Sequence, residues 1–282
     1  MPRLVAIDID GTLLDSRGHL PAENTRAIAE AQAAGIEVAL VTGRGLHFAR
    51  PIIDLLPTPL TLIVSNGALV KAHDGRTVLA RLMPADVARD VLAATAAFHE
   101  ARAVVFDRSG PGQVVAGGMD WLHPRRRAYH RLHAEVISEV TPLESCLTED
   151  PVQVMFNGGV AAMRELAVLL RTRSGAPRYT VVVTEYVKRD FTLLDVLAED
   201  VHKGTTLAEW CRRQGYDRSE VMAVGDNHND RAMLAFAGVP VVMGNAVAEL
   251  KALGYPVTAT NDQAGLARAI RRYALGGGAS GR

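Results

Sequence analysis

Short apolar runs alternate with helix-like stretches at both ends of the chain. The predicted buried strands are residues 4–9, 36–41, 60–64, 221–224 and 239–243. The predicted helices are residues 21–34, 45–56, 203–214, 231–237 and 246–253. Continuous apolar strands separated by helices are typical of parallel sheets that are covered on both faces. The pattern therefore predicts an α/β fold built on a doubly wound parallel sheet.

The middle of the chain follows a different pattern. Strand-like and helix-like stretches alternate less regularly there, around a glycine-rich, loop-like segment at residues 107–118. We predict that residues 83–186 form a smaller α+β domain inserted into the parallel-sheet domain, which then comprises residues 1–82 and 187–282. The glycine-rich end of the chain, residues 276–282, is predicted to be disordered.

The composition excludes several classes of protein. Hydrophobic residues make up 48% of the chain and charged residues 22%, which allows a sizeable core and argues against global disorder. Because the formal net charge is zero, the basic run at residues 125–127 is too little to predict a nucleic-acid partner, and no membrane partner is expected either. Cys146 and Cys211 are too far apart in sequence for a CxxC motif. We therefore expect a cytoplasmic protein without disulfides.

Two aspartates stand at the end of the first predicted strand. Asp8 interrupts the apolar run, Asp10 follows two residues later, and Gly11 allows a tight turn. Residues i and i+2 of a strand point the same way, so the two carboxylates converge near its carboxyl end. Such a pair needs a cation or a shared proton. One interpretation is a loop that carries two acids by chance, and the other is a carboxylate nucleophile with an acid–base neighbour at a divalent metal.

Three further polar clusters follow predicted strands, and a lysine begins a predicted helix. The clusters are Thr42, Gly43 and Arg44; Ser65, Asn66 and Gly67; and Asp226, Asn229 and Asp230. Hydroxyl and backbone N–H groups can hold a phosphoryl group, and an acidic loop can hold a hard cation. Lys203 is unfavourable at a helix start, so another group is expected to hold it. Each feature taken alone also fits an ordinary loop, turn or solvated side chain.

Taken in order, these segments resemble the four motifs of the haloacid dehalogenase superfamily. The matching strings are DIDGTLLD from Asp8, VTGR from Val41, HKG from His202 and GDNHND from Gly225. SNGA from Ser65 and MGNA from Met243 make the chain resemble the Cof-type phosphatases of subfamily IIB. The resemblance covers nearly the whole chain and is weakest in the insert. It implies a Rossmann-like core with an inserted C2-type cap that contributes substrate specificity.

The resemblance also implies a role for each polar residue. Asp8 is the implied nucleophile that attacks phosphorus, and Asp10 the implied group that protonates the leaving oxygen and then activates water. Thr42 and Lys203 are implied to bind the transferring phosphoryl group. The implied phosphate- or substrate-binding residues are Gly43, Arg44, Ser65, Asn66, Gly67 and Asn229. The implied Mg²⁺ ligands are Asp8, the Asp10 backbone carbonyl, Asp226 and Asp230, with Asn229 and Asp230 also suited to orient Lys203 or the metal's waters.

The leading hypothesis is a Mg²⁺-dependent phosphatase of small phosphorylated metabolites, such as sugar phosphates or phosphorylated cofactors, acting as a monomer or homodimer. A phosphomutase on the same scaffold would use the same paired aspartates. A phospho-accepting switch like a receiver domain shares the clustered acids, the threonine and the lysine. Receivers lack a large insertion, however, and the second carboxylate of Asp10 favours turnover over storage of the phosphoryl group.

Overall fold

The protein folds into two compact units, seen in a computed structural model that describes residues 1–98, 101–173 and 178–276. The first unit comprises Met1–Ala80 and His202–Arg282, and the second comprises Arg81–Val201. Each unit contains its own β-sheet. The second unit is thus an insertion into the first.

The regular elements of the described residues alternate between strands and helices along most of the chain. The strands are β1 Leu4–Ile7, β2 Glu37–Val41, β3 Thr61–Val64, β4 Leu69–Lys71, β5 Thr77–Ala80, β6 Ala101–Val105, β7 Val114–Ala116, β8 Ile137–Glu139, β9 Gln153–Gly158, β10 Tyr179–Tyr186, β11 Phe191–Ala198, β12 Val221–Gly225 and β13 Val239–Val242. The helices are α1 Ala22–Ala33, α2 Leu46–Ile53, α3 Ala85–Ala94, α4 Pro124–His133, α5 Val160–Thr172, α6 Lys203–Gln214, α7 Arg231–Phe236, α8 Ala248–Lys251 and α9 Gly265–Ala269.

The first unit is built on a seven-stranded sheet in the order β13-β12-β1-β2-β3-β4-β5. The strands from β13 to β3 in this order are parallel, and β4 and β5 add an antiparallel edge. Every residue of β1 and β12 is buried, as their continuous apolar runs predict. The carboxyl ends of the parallel strands share one edge of the sheet, and the polar clusters follow β1, β2, β3 and β12 at that edge.

The second unit is built on a six-stranded sheet in the order β10-β11-β9-β6-β7-β8. Its strands pair antiparallel except for β7 and β8, which are parallel. Helix α5 buries Met163, Leu166 and Leu170, whose spacing places them on one face of the helix, and it contacts β9, β10 and β11. The predicted fold class, a parallel-sheet α/β domain with an inserted α+β domain, is confirmed.

The end of the inserted unit differs from the predicted boundary at residue 186. Strand β11 pairs with both β9 and β10, so it belongs to the second sheet, and the division falls after Val201. An apolar run has the same appearance in either sheet, which is why the sequence pattern did not reveal this. Strand β7 lies within the segment predicted to be a loop, residues 107–118. It was not predicted because three residues are too few to show the alternation typical of a strand. The predicted disordered tail lies outside the described residues from residue 277 onward.

Candidate active site

A buried lysine connects two aspartates at the carboxyl edge of the parallel sheet. The Lys203 Nζ donates hydrogen bonds of 2.6 Å to Asp8 Oδ1 and of 2.6 Å to Asp230 Oδ1. The lysine is 0% exposed, and both carboxylates are also buried. Asp8 directly follows β1, whereas Lys203 begins α6 and Asp230 precedes α7. Three segments far apart in sequence thus meet in one ion-pair cluster.

The start of α6 explains how a lysine is tolerated at a helix N-terminus. His202 caps the helix: its Nδ1 accepts a hydrogen bond from the Thr205 N–H (3.2 Å), and Thr205 Oγ1 accepts one from the His202 N–H (3.2 Å). One turn along, Thr206 Oγ1 donates to the Gly67 carbonyl at 2.7 Å. The helix start is therefore fixed by its cap and by the loop after β3, while the two carboxylates offset the unfavourable position of the ammonium.

Asp230 organises the loop after β12 as well as the lysine. Its Oδ2 accepts hydrogen bonds from the backbone N–H groups of Asp226 (2.9 Å) and Asn227 (3.0 Å). Because Oδ1 is bound by Lys203, both oxygens of Asp230 are engaged. Asp226 itself accepts a hydrogen bond from Thr12 Oγ1 at 3.3 Å, which links the loop to the turn after β1.

The cluster carries more negative charge than its ammonium offsets. Burial is the largest cause that raises the pKa of Asp8, to about 8; the Asp230 carboxylate adds to it and Lys203 opposes it. Burial and the Asp8 carboxylate likewise raise the pKa of Asp226 well above its ordinary value. Burial by itself would lower the pKa of Lys203, but the Asp230 and Asp8 carboxylates raise it, so the lysine stays protonated. A further cation would relieve the repulsion between the carboxylates.

The residues present fit a divalent metal ion. Carboxylate oxygens of Asp8, Asp226 and Asp230 lie within 4.8 Å of one another. Carboxylates are ligands that Mg²⁺ prefers in proteins. Since the oxygens of Asp230 are engaged by Lys203 and by two backbone N–H groups, Asp8 and Asp226 are the side chains best suited to bind the ion directly.

Asp10 lies outside this group of carboxylates and is paired with Arg44. The Arg44 Nε donates to Asp10 Oδ2 at 2.8 Å and its Nη2 donates to Asp10 Oδ1 at 2.7 Å. The third nitrogen, Nη1, donates to the carbonyl of Phe48 in α2 at 3.1 Å. The sequence interpretation placed Arg44 among the phosphate-binding residues, whereas here it holds a carboxylate with the bidentate geometry that arginine favours.

The two loops after β2 and β3 are joined by their backbones. The Ser65 N–H donates to the Arg44 carbonyl (2.9 Å), and the Asn66 N–H donates to the Thr42 carbonyl (3.0 Å). The backbone N–H groups of these two predicted phosphate- or substrate-binding residues are thus used within the fold. The Thr42 side chain is buried, and its Oγ1 accepts from the Arg44 N–H at 3.1 Å.

Asparagine and glycine residues connect the same loops to their neighbours. Asn229 Nδ2 donates to Asn66 Oδ1 at 3.1 Å, so these two predicted substrate-binding residues contact each other. A Cβ on Gly43 would lie 3.1 Å from Asn66 Oδ1, and one on Gly67 would lie 2.7 Å from the His202 carbonyl oxygen. Gly67 also has φ of +106°, so it is required by both close contact and conformation.

Three residues at this edge were not singled out from the sequence. Thr12 contacts Asp226, His202 caps α6, and Asn245 Nδ2 donates to the Gly11 carbonyl at 2.8 Å. Thr12 and Asn245 lie inside the quoted strings DIDGTLLD and MGNA, which is the signal that could have identified them. His202 opens the quoted string HKG, so the same signal was present for it, but histidine is not among the preferred helix caps and its capping role was not expected.

Comparison with known proteins identifies the family. A family model of haloacid dehalogenase-like hydrolases matches residues 5–270. The chain belongs to the haloacid dehalogenase-like hydrolases. An HMP-PP phosphatase from Serratia proteamaculans is 33% identical to this hydrolase over 253 residues, which cover 90% of this chain and 88% of the relative.

Solved structures agree with this assignment. BT1666 from Bacteroides thetaiotaomicron, described among the phosphatases of the haloalkanoate (HAD) enzyme superfamily, is 25% identical with a TM-score of 0.78, covering 98% of this chain and 96% of its own. The HAD subclass IIB sugar phosphatase BT4131 shares the fold, with a TM-score of 0.77 at 22% identity over 97% of this chain and 99% of its own. This haloacid dehalogenase-like hydrolase is therefore an enzyme of the phosphatase type. Among its described residues, no helix combines the length and apolar character needed to span a membrane.

Proposed function

We propose that the protein is a Mg²⁺-dependent phosphatase that hydrolyses small phosphorylated metabolites, such as sugar phosphates or phosphorylated cofactors, through an aspartyl-phosphate. One observation carries the proposal: the buried Asp8 carboxylate is held by Lys203 and grouped with Asp226 at the carboxyl edge of the sheet. The names of its relatives, which include an HMP-PP phosphatase and a sugar phosphatase, support this substrate class.

The proposed reaction has two steps that share the same two aspartates. In the first step, an Asp8 oxygen forms a bond to phosphorus while the bond from phosphorus to the leaving oxygen breaks, and Asp10 gives that oxygen its proton. In the second step, Asp10 takes a proton from a water molecule, whose oxygen forms a bond to the phosphorus of the aspartyl-phosphate while the bond from that phosphorus to the Asp8 oxygen breaks. Inorganic phosphate leaves, and both side chains return to their starting states.

The remaining residues stabilise charge and orientation in this proposal. Lys203 places its ammonium beside the attacking oxygen of Asp8 and so offsets charge on the transferring phosphoryl group. The Thr42 hydroxyl and the Gly43 backbone are assigned to the phosphoryl oxygens. Mg²⁺ held by Asp8 and Asp226, together with the Asp10 backbone carbonyl, would neutralise charge on the carboxylates and the phosphate. Asp230 is assigned to orient Lys203.

Arg44 receives a different role from the one that the sequence interpretation gave it. Because its Nε and Nη2 bind the Asp10 carboxylate, we assign it to hold the acid–base group rather than the phosphate. Because the backbone N–H groups of Ser65 and Asn66 are used within the fold, we assign these residues to hold the two loops together. Asn229 is assigned to hold the Asn66 side chain. We assign substrate specificity to the inserted unit.

A panel of phosphorylated metabolites and 4-nitrophenyl phosphate, assayed with Mg²⁺ and with excess EDTA, tests the proposal. We expect phosphate release in Mg²⁺, none in EDTA, and none from Asp8→Asn in either condition. Undiminished turnover in EDTA would contradict the proposed site.

Adding a sugar bisphosphate separates a phosphomutase from a phosphatase, because a mutase would return phosphorylated isomer in place of inorganic phosphate. A stable phosphoprotein with no turnover would instead indicate a phospho-accepting switch.

A further inference from the structure

The loop after β13 is bonded to both of the turns that carry the carboxylates. The Met243 N–H donates to the Gly225 carbonyl at 3.1 Å, and the Val247 N–H donates to the Asp226 carbonyl at 3.0 Å. Between them, Asn245 Nδ2 donates to the Gly11 carbonyl at 2.8 Å. A single short loop thus contacts the turn after β1 and the turn after β12 at the same time.

The two turns touch at Gly11 and, beside it, through the hydrogen bond from Thr12 Oγ1 to Asp226. A Cβ on Gly11 would overlap Oδ2 of Asp226, so the glycine backbone lies directly against that carboxylate. Gly11 also has φ of +81°, which a side chain would disfavour. The position of Gly11 therefore limits where the Asp226 carboxylate can lie relative to the turn that carries Asp8 and Asp10. Asn245 holds the carbonyl of this glycine.

Asn245 is itself oriented by a second asparagine. Its Oδ1 accepts a hydrogen bond from the Asn261 N–H at 2.9 Å, which leaves its Nδ2 directed at Gly11. The buried Asn261 uses its own Nδ2 to donate to the Leu14 carbonyl at 2.9 Å. The two asparagines therefore hold two carbonyls of the turn after β1, and Asn245 needs both an acceptor and a donor to do so.

We propose that Asn245 is a positioning residue that sets the spacing between the turn of Asp8 and the turn of Asp226, and thereby the affinity for the divalent cation. The inference rests on the metal site of the proposed function. The hydrogen bonds of the Asn245 side chain to described residues join it to the Gly11 carbonyl and the Asn261 N–H rather than to a carboxylate, so its effect is transmitted through Gly11. Because Asn245 is exposed, replacing it leaves the buried core of the unit intact.

Calorimetric titration of Mg²⁺ into the full-length wild type and Asn245→Leu tests this. Leucine has nearly the same shape and adds no charge beside the carboxylates. We expect Mg²⁺ to bind the variant about 10-fold more weakly, as is typical for residues that support metal ligands. Turnover of 4-nitrophenyl phosphate should approach the wild-type value when Mg²⁺ is saturating, so the loss appears in the Mg²⁺ dependence rather than in kcat.

Gln32→Met is the matched control. Gln32 Nε2 donates to the Pro59 carbonyl at 2.6 Å, so this change also removes a bond from a side-chain amide to a backbone carbonyl, with no part in the site. We expect wild-type Mg²⁺ affinity for it. Equal Mg²⁺ affinity in wild type and Asn245→Leu, or equal weakening in Gln32→Met, would overturn the role of Asn245. Either result would leave the proposed function unaffected. Failure of the wild type to bind Mg²⁺ would overturn the proposed function and this inference together.

Discussion

The two ends of the parallel sheet hold their carboxylates in opposite ways. At the amino end of β2, Glu37 accepts hydrogen bonds from three neutral donors: Thr61 Oγ1 (2.7 Å), Trp210 Nε1 (2.8 Å) and Tyr216 OH (2.8 Å). At the carboxyl end, three aspartates crowd around Lys203. A carboxylate with well-placed neutral donors stabilises a fold, whereas crowded buried carboxylates cost stability unless a cation joins them.

Helix α6 contributes residues to both ends of the parallel sheet. Its first residue, Lys203, lies in the aspartate cluster, while Trp210 within the helix and Tyr216 just beyond it bind Glu37. Burial and the bond to Glu37 raise the pKa of Tyr216 to about 12, so it remains a hydrogen-bond donor at neutral pH. The comparison therefore predicts that removing a crowded carboxylate at the carboxyl end abolishes activity without loss of stability, whereas removing Glu37 at the amino end lowers stability without loss of activity.

Asp8→Asn should give the largest effect on activity. The amide cannot form the acyl-phosphate, so we expect turnover of 4-nitrophenyl phosphate to fall by about 10⁴-fold or more. Above pH 8, where Asp8 is ionised, the same change removes one crowded negative charge, so the melting temperature in EDTA should be unchanged or higher there. Steady-state assays and thermal denaturation of the same preparation check the predicted effects on turnover and on melting temperature. Loss of stability together with activity in Asp8→Asn would contradict the contrast between the two ends.

Lys203→Met should damage both properties, because it leaves the carboxylates without their ammonium. Breaking a buried ion pair in this way costs about 3–5 kcal/mol in the free energy of unfolding. Lys251→Met is the control, since it makes the same change at an exposed position of α8. Urea denaturation should show the loss in the first variant only. If both variants unfold at the same urea concentration, the buried cluster does not need the lysine.

Glu37→Ala tests the opposite end of the sheet. Three donors lose their charged acceptor, and we expect the free energy of unfolding to fall by about 2–3 kcal/mol. Turnover measured well below the melting temperature should stay within about twofold of wild type, because Glu37 is at the amino end of β2 and contacts α6 through Trp210 and Tyr216 rather than near Lys203. Glu30→Ala, which removes the exposed pair with Arg271, should cost less. A large fall in kcat for Glu37→Ala would show that the two ends are coupled through the helix.

The pH dependence of stability should also report on the aspartate cluster at the carboxyl end of the sheet. The pKa of Asp8 is raised from 3.8 to about 8 in the folded, metal-free protein. Between these two pH values the folded state binds more protons than the unfolded state, so the free energy of unfolding should fall as the pH rises from about 4 to about 8. Asp8→Asn should flatten this slope when denaturation is measured in EDTA, and saturating Mg²⁺ should flatten it for the wild type when no chelator is present. A slope that Asp8→Asn leaves unchanged would contradict this.

Much of this organisation could be predicted from the sequence, for a reason that lies in parallel sheets. Buried parallel strands are continuous apolar runs, and the residues that follow them must emerge at one edge. The structure accordingly brings Asp8 and Asp230 to the same lysine across long stretches of chain. The antiparallel insert was harder to predict, because β11 has no feature that ties it to one sheet rather than the other.

Side-chain partners could not be predicted in the same way. Periodicity places Arg44 after β2 but does not give the direction of its guanidinium, which turns toward Asp10. Asn245 and Asn261 act through hydrogen bonds to backbone carbonyls, which leave no periodic trace in a sequence. Histidine at a helix cap breaks the usual preference, so the capping role of His202 could not be predicted although the residue lies in the HKG string.

The most direct measurement of the central claim is to trap the phosphorylated enzyme. In Asp10→Asn, the second step lacks its base, but attack by Asp8 on 4-nitrophenyl phosphate needs little protonation of the leaving group. After mixing with this substrate in Mg²⁺ and quenching with acid, peptide mass spectrometry should find a phosphate-sized mass increase on Asp8. The increase should be absent in EDTA and in the double variant that also carries Asp8→Asn. Phosphate on any other residue, or on the double variant, would contradict the assignment of Asp8 as the nucleophile.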